Sequence, residues 1–275
     1  MPPLSQQDAR AALVADLRTR IAGPSAEFAE AGGRFVSLGV EVIDAALPGG
    51  GLKAGALHEV GAEDYRDMGA TTGFLAALAA CFAENGSGPV LWCQSAQPPF
   101  DIGALYGPGL AAFGLDPTRL VLALPGSATD CLWAMEEALR SGVFAAVIGE
   151  VDGRAAALDL TATRRLQLAA EEKGTPVLLF TGHGGGAASA AVTRWRIAAL
   201  PGRIVPGTEK FGGLTGASCW RAALARVRGG APGAWNVAWH GGDKGFVLAD
   251  AIVPAFKETP PVPAEARVVA FRQSA

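Results

Sequence analysis

At 275 residues, half of them hydrophobic, the chain is long enough for one large domain with a core of its own and room for appendages. Much of that half is alanine, 55 residues, and the longest uncharged apolar run, 73–83, falls far below the ~20 residues of a bilayer span, so the composition carries no membrane signal. The net charge of −3 conceals an uneven spread: seven basic residues from Arg194 to Arg228 face one acid, Glu209, a local +6 that leaves −9 elsewhere.

In chain order, the first seven residues lack the basic and apolar regions of a secretory signal, and a soluble, cytoplasmic protein is expected. Residues 8–22 predict an amphipathic helix, with Leu13, Leu17 and Ile21 every four residues and Gly23-Pro24 at its end. Set apart by a small-residue linker that runs to Gly33, this helix must dock on the main domain or on a partner. From Arg34 the signals alternate. Strands are predicted over 56–60, 89–93, 119–124, 143–149 and 176–181, and helices over 71–84, 109–113, 128–140 and 158–173. Ser127 and Asp130 have capping-box spacing, and Gly142 and Gly174 stop the last two helices. Uninterrupted apolar strands between helices indicate an α/β fold with a mainly parallel sheet covered on both faces. From Arg194 the helices disappear, and shorter strands at 194–200, 217–228, 234–240 and 245–249 between Gly/Pro turns predict antiparallel pairing. Prolines and then Arg267-Val268-Val269-Ala270-Phe271-Arg272 read as an extended tail that orders only on a surface. The division is therefore 1–33, a core over 34–252, and a tail over 253–275. Cys81, Cys93, Cys131 and Cys219 form no C-x-x-C pair, and His58, His183 and His240 are far apart, so no metal site is expected.

The most informative text runs from Ser37 to Gly61 as S-x-G-x-x-x-x-D-x-x-L-x-G-G-G-L-x-x-G-x-x-x-E-V-x-G. It resembles the approach to a RecA-type ATPase core, in which the last strand leads into the phosphate loop. A working loop of the form G-x-x-x-x-G-K-[ST] wraps phosphates in backbone N–H groups, neutralises them with lysine and holds magnesium with a hydroxyl. Here Gly61 is followed by seven residues, three of them acidic (Glu63, Asp64, Asp67), before Gly69-Ala70-Thr71-Thr72, and Ala70 stands at the lysine position. None of the five lysines (Lys53, Lys173, Lys210, Lys244, Lys257) is close enough in sequence to substitute, and Arg66 is the nearest cation. The resemblance places Gln94 or Ser95 where the water-activating carboxylate belongs, Glu150 at the magnesium position and His183 at the sensor position. An acid at a strand end such as Glu150 has an equally good structural reading. Hydrolysis is not expected, and no cofactor is assigned.

Two later stretches, Thr193-Arg194-Trp195-Arg196-Ile197-Ala198 and Arg226-Val227-Arg228-Gly229-Gly230-Ala231-Pro232-Gly233-Ala234-Trp235, narrow the resemblance to the ImuA family. That resemblance implies a RecA-like core and a non-catalytic accessory role in DNA-damage-induced (SOS) mutagenic translesion synthesis. Its implied partners are ImuB, an error-prone replicative-type polymerase through ImuB, and RecA itself. RecA proteins hold single-stranded DNA with two loops. The matching stretches here, 151–157 and 184–192, carry one basic residue and none, so DNA held in that manner is not expected. Arg194, Arg196, Arg226 and Arg228 are the candidate contacts to DNA or an acidic partner, with intramolecular pairing or a solvated face as the other readings. Leu13, Leu17 and Ile21 are candidates for self-association or partner binding, or else pack on their own core. Trp195, Trp220, Trp235 and Trp239 read mostly as core. Two other functions stay open: a weak DNA-dependent ATPase or recombination factor using Arg66 and Glu150, and a SulA-like inhibitor of cell division.

Overall fold

The computed structural model describes residues 33–84, 86–184, 188–202, 216–241 and 245–249. The predicted leading helix with Leu13, Leu17 and Ile21, and the predicted tail over 253–275, lie outside the described residues.

The lead-in text forms a compact turn unit. Strand β1 (Phe35–Val36) pairs antiparallel with β2 (Leu52–Lys53), and the short helix α1 (Glu41–Asp44) lies between them. Asp44 ties the unit together, accepting from the Ser37 hydroxyl at 2.6 Å and the Leu38 N–H at 2.8 Å. Gly51 has no room for a side chain: a Cβ there would lie 2.4 Å from the Val36 carbonyl oxygen. Local structure thus accounts for Ser37, Asp44 and Gly51, the last glycine of the triplet.

Nine further strands follow: β3 (Leu57–Ala62), β4 (Val90–Cys93), β5 (Leu120–Ala123), β6 (Ala146–Glu150), β7 (Val177–His183), β8 (Thr193–Leu200), β9 (Cys219–Val227), β10 (Gly233–His240) and β11 (Gly245–Leu248). They form one sheet in the order β11-β10-β9-β8-β3-β7-β6-β4-β5. From β5 to β8 every pairing is parallel, and from β8 to β11 every pairing is antiparallel. This is the expected α/β, RecA-like arrangement, with one refinement. The strand predicted at 194–200 as antiparallel is so only toward β9, and it runs parallel to β3 on its other side. The nine residues of sequence between His183 and Thr193 return the chain to the start of the sheet, where a tight hairpin would have reversed it.

Helices α2 (Met68–Glu84) and α3 (Gly107–Ala112) cover one face, and α4 (Ala128–Ser141) and α5 (Leu160–Lys173) the other. Alternation along the strands separates the two cores: Leu178 and Phe180 pack with Phe74, Leu78 and Phe82 of α2, while Val177 and Leu179 pack with Met135, Leu139 and Leu166. Ser127 and Asp159 cap the N-termini of α4 and α5, and left-handed Gly142 and Gly174 close them. Trp195, Trp220 and Trp239 are core residues as expected, whereas Trp133 on α4 is 63% exposed.

One polar chain crosses the core. The Trp195 indole N–H donates to the Thr193 hydroxyl oxygen at 3.1 Å, and that hydroxyl meets His58 Nδ1 at 2.8 Å. His58 Nε2 reaches the Lys53 carbonyl at 2.8 Å, a contact that requires the proton on Nε2 and leaves Nδ1 as acceptor. Burial pushes His58 down to about 4, so a neutral imidazole knits β2, β3 and β8 together.

Candidate functional site

Ligands of open α/β sheets bind beyond the carboxyl ends of the parallel strands, and the turn from β3 into α2 lies there. Its backbone donors are used by the turn itself. Asp64 opens a tight turn over Tyr65–Asp67 and accepts from the Arg66 N–H at 3.2 Å. The Asp67 carboxylate accepts from the Asp64 N–H at 3.1 Å with one oxygen and from the Ala199 N–H at 2.9 Å with the other. Asp64 and Asp67 thus occupy amides of the turn where a phosphate loop would offer them to an anion, and the Arg66 amide holds the Asp64 carboxyl below its ordinary range. The same turn starts α2 at Met68, three residues ahead of the helix predicted at 71–84. Thr71 and Thr72 donate their hydroxyls to the carbonyls of Asp67 at 2.8 Å and Met68 at 3.2 Å. Gly61 lies under the Arg196 guanidinium: a Cβ there would come 2.5 Å from Nη1. Arg196 donates to the carbonyls of Ala62 at 3.4 Å and Gly184 at 2.6 Å.

Glu150 ends β6 and is buried, with both oxygens engaged. The Trp92 indole donates to Oε1 at 2.9 Å, and the Ser95 N–H donates to Oε2 at 2.8 Å. Burial raises the group to about 7 against the pull of these two donors. Gln94 is held by the Gly103 carbonyl at 2.9 Å and the Leu105 N–H at 3.4 Å. His183, at the end of β7, meets Tyr65 edge-on, and its buried Nδ1 has no hydrogen-bond partner. Gly61, Glu150 and His183 thus lie at or near the carboxyl ends of β3, β6 and β7, and Gly69 to Thr72 form the first turn of α2. The Thr71 and Thr72 hydroxyls are bonded to backbone carbonyls and the Glu150 oxygens to the Trp92 indole and the Ser95 amide, while His183 Nδ1 is left without a partner.

Beside α2 opens a cavity of about 480 Å³, walled by Ala70, Gly73, Leu105, Phe113 and Trp220 with Glu150 at its base. Among the described residues no lysine, arginine or histidine lines it. The Trp220 indole closes on the Ala70 carbonyl at 2.8 Å, at the position where a phosphate loop has its lysine. An apolar pocket with one carboxyl group is a poor receptor for a triphosphate.

Over 213 residues the chain is 36% identical to Protein ImuA of two Caulobacter vibrioides strains, NA1000 / CB15N and ATCC 19089 / CIP 103742 / CB 15, a match covering 73% of this chain and 81% of each relative. The chain belongs to the ImuA family. No family model matches it.

In this ImuA-family chain the arginines singled out from the sequence divide into two pairs. Arg194 is turned inward, ion-paired with buried Glu59 directly across from it on β3, and Arg196 covers Gly61. Arg226 and Arg228 are exposed, Arg226 donating to the Ser189 carbonyl at 3.2 Å. Among the described residues no group of three His, Cys, Asp or Glu side chains is placed to hold a metal ion, and no helix is long and apolar enough to cross a membrane. Sequence reasoning missed Asp67 and Arg221 as binders of the β3–α2 turn. Arg221 meets Glu63 at 3.3 Å from β9, a pairing across 158 residues that leaves no local signature. Asp64-x-x-Asp67 does leave one, because the spacing is that of a capping box.

Proposed function

We propose that this chain acts without nucleotide chemistry, as a RecA-like accessory of damage-induced mutagenic translesion synthesis. It works through protein contacts with an ImuB partner and, through ImuB, with an error-prone replicative-type polymerase. The observation that carries the non-catalytic part is the β3–α2 turn, where the Asp67 and Asp64 carboxylates take up the amides of Asp64 and Arg66 and Asp67 also binds the Ala199 amide of β8. The apolar cavity and the committed oxygens of Glu150 support it. Family membership carries the mutagenesis part. Contact with DNA or with RecA falls to the exposed Arg226 and Arg228. The candidate loop over 151–157 adds little, since its single arginine, Arg154, sits 3.3 Å from Asp152.

The test is nucleotide turnover by the purified full chain with magnesium and single-stranded DNA. The expected result is a rate indistinguishable from background and unaltered by Thr71→Ala or Glu150→Gln. DNA-stimulated hydrolysis lost in either variant would overturn the proposal and restore the ATPase reading.

A further inference from the structure

Strand β5 is the parallel edge of the sheet: among the described residues it is bonded to β4 and to no other strand. The Ala123 carbonyl accepts from the Gln94 N–H at 2.9 Å, and in a parallel ladder a residue turns its N–H and C=O to the same side. Val121 and Ala123 therefore bond inward to β4, while Leu120, Leu122 and Leu124 present their groups outward. The Leu120 N–H is taken by the Pro117 carbonyl. Among the described residues this leaves open both groups of Leu122 and Leu124 and the C=O of Leu120.

The edge is also apolar on both faces. Val121, on the face of α4, is 43% exposed, and Leu122 and Leu124, on the face of α2, are 45% and 72% exposed. Natural sheets guard an open edge with charge, proline or a bulge. Residues 120–124 carry none of these, and the nearest cation, Arg119, is turned back onto the carbonyls of Ala83, Gly86 and Gly88 at 3.2, 2.7 and 2.5 Å.

The occupant that fits is a second copy of the same strand. Self-pairing sets like residues together, which a charged edge would resist, but residues 120–129 are uncharged. In an antiparallel pairing centred on Leu122, each Leu122 exchanges N–H and C=O with the partner's Leu122. Each Leu124 N–H then meets the partner's Leu120 carbonyl. The one blocked donor, the Leu120 N–H, falls at the end of the ladder, and its loss leaves the centre intact. We propose that the chain forms a two-fold dimer through β5, which joins two nine-stranded sheets into one. So short a ladder makes a weak contact, with a dissociation constant on the order of 10 µM. The dimer goes beyond the accessory role and does not rest on it.

Sedimentation of the full chain from about 1 to 200 µM tests the dimer, and cysteine trapping tests its register. Wild type is expected to pass reversibly from monomer to dimer. Leu122→Pro removes the central outward donor without touching the ladder to β4, and is expected to weaken the dimer ~tenfold or more. Val121→Lys changes an exposed side chain and leaves the backbone alone, and the same weakening is expected, with circular dichroism showing both variants folded. Under mild oxidation Leu122→Cys is expected to link to its own copy and Leu124→Cys is not, the four native cysteines being buried. The paired Cα atoms lie ~5.5 Å apart at 122 and roughly 14 Å apart at 124. A chain that stays monomeric throughout would leave the edge to a strand of another protein and overturn the proposal. Self-association unchanged in both variants, or trapping at 124 in preference to 122, would overturn it as well.

Discussion

His58 and Glu150 are both buried and both displaced from their ordinary titration ranges, in opposite senses. His58 titrates near 4 in place of 6.5, so the stability it gives the folded chain at neutral pH is lost as pH falls from 6.5 through 4. Glu150 titrates near 7 in place of 4.5, so its contribution is intact below 4.5 and lost as pH rises through 7. Between pH 4.5 and 6.5 the two slopes oppose each other, each worth about 1.4 kcal/mol per pH unit. Urea unfolding across this range is expected to show a Glu150→Gln profile that climbs relative to wild type by about 2–3 kcal/mol from pH 4.5 to 6.5. Parallel profiles would mean that the Glu150 carboxyl titrates in its ordinary range.

The turn between β3 and α2 shows how one element is built and what its removal does. Asp67 satisfies the Asp64 amide and clips the turn to β8 through Ala199. Asp67→Ala is expected to lower stability by about 1–2 kcal/mol, seen as a loss of a few degrees in Tm, while Asp67→Asn keeps an acceptor and recovers most of it. Equal losses in the two variants would mean that charge and not hydrogen bonding holds the turn. Elements with local causes were legible in the sequence, among them the capped helices α4 and α5 and the apolar parallel strands. The acids of the turn were legible as unfavourable to a phosphate, but their structural task depends on Ala199, 132 residues further along the chain. Arg194 was legible as basic and on a strand. That it faces Glu59 follows from which strands become neighbours, and hydrophobic periodicity says nothing about that.

Across the molecule the contrast between a basic stretch and an acidic body is partly closed internally. Arg194 and Arg221 on β8 and β9 meet Glu59 and the turn's Glu63, joining the antiparallel half of the sheet to the parallel half. The amphipathic segment predicted ahead of Gly33 lies outside the described residues. Deleting residues 1–23 is expected to reduce self-association in light scattering, or retention on immobilised ImuB, while leaving Tm within about 1 °C of the full chain. A fall of several degrees with binding unchanged would mean that the helix packs on its own core.

Trp133 stands apart from the other five tryptophans. Trp92, Trp195, Trp220 and Trp239 are buried and Trp235 is partly covered, whereas Trp133 sits off the apolar stripe of α4 and projects into water. The molecule thereby carries its own optical probe. Iodide, which does not enter a packed interior, quenches the long-wavelength part of the emission that comes from this one indole. Any macromolecule that settles on the outer surface of α4 will shield that light without a label being attached.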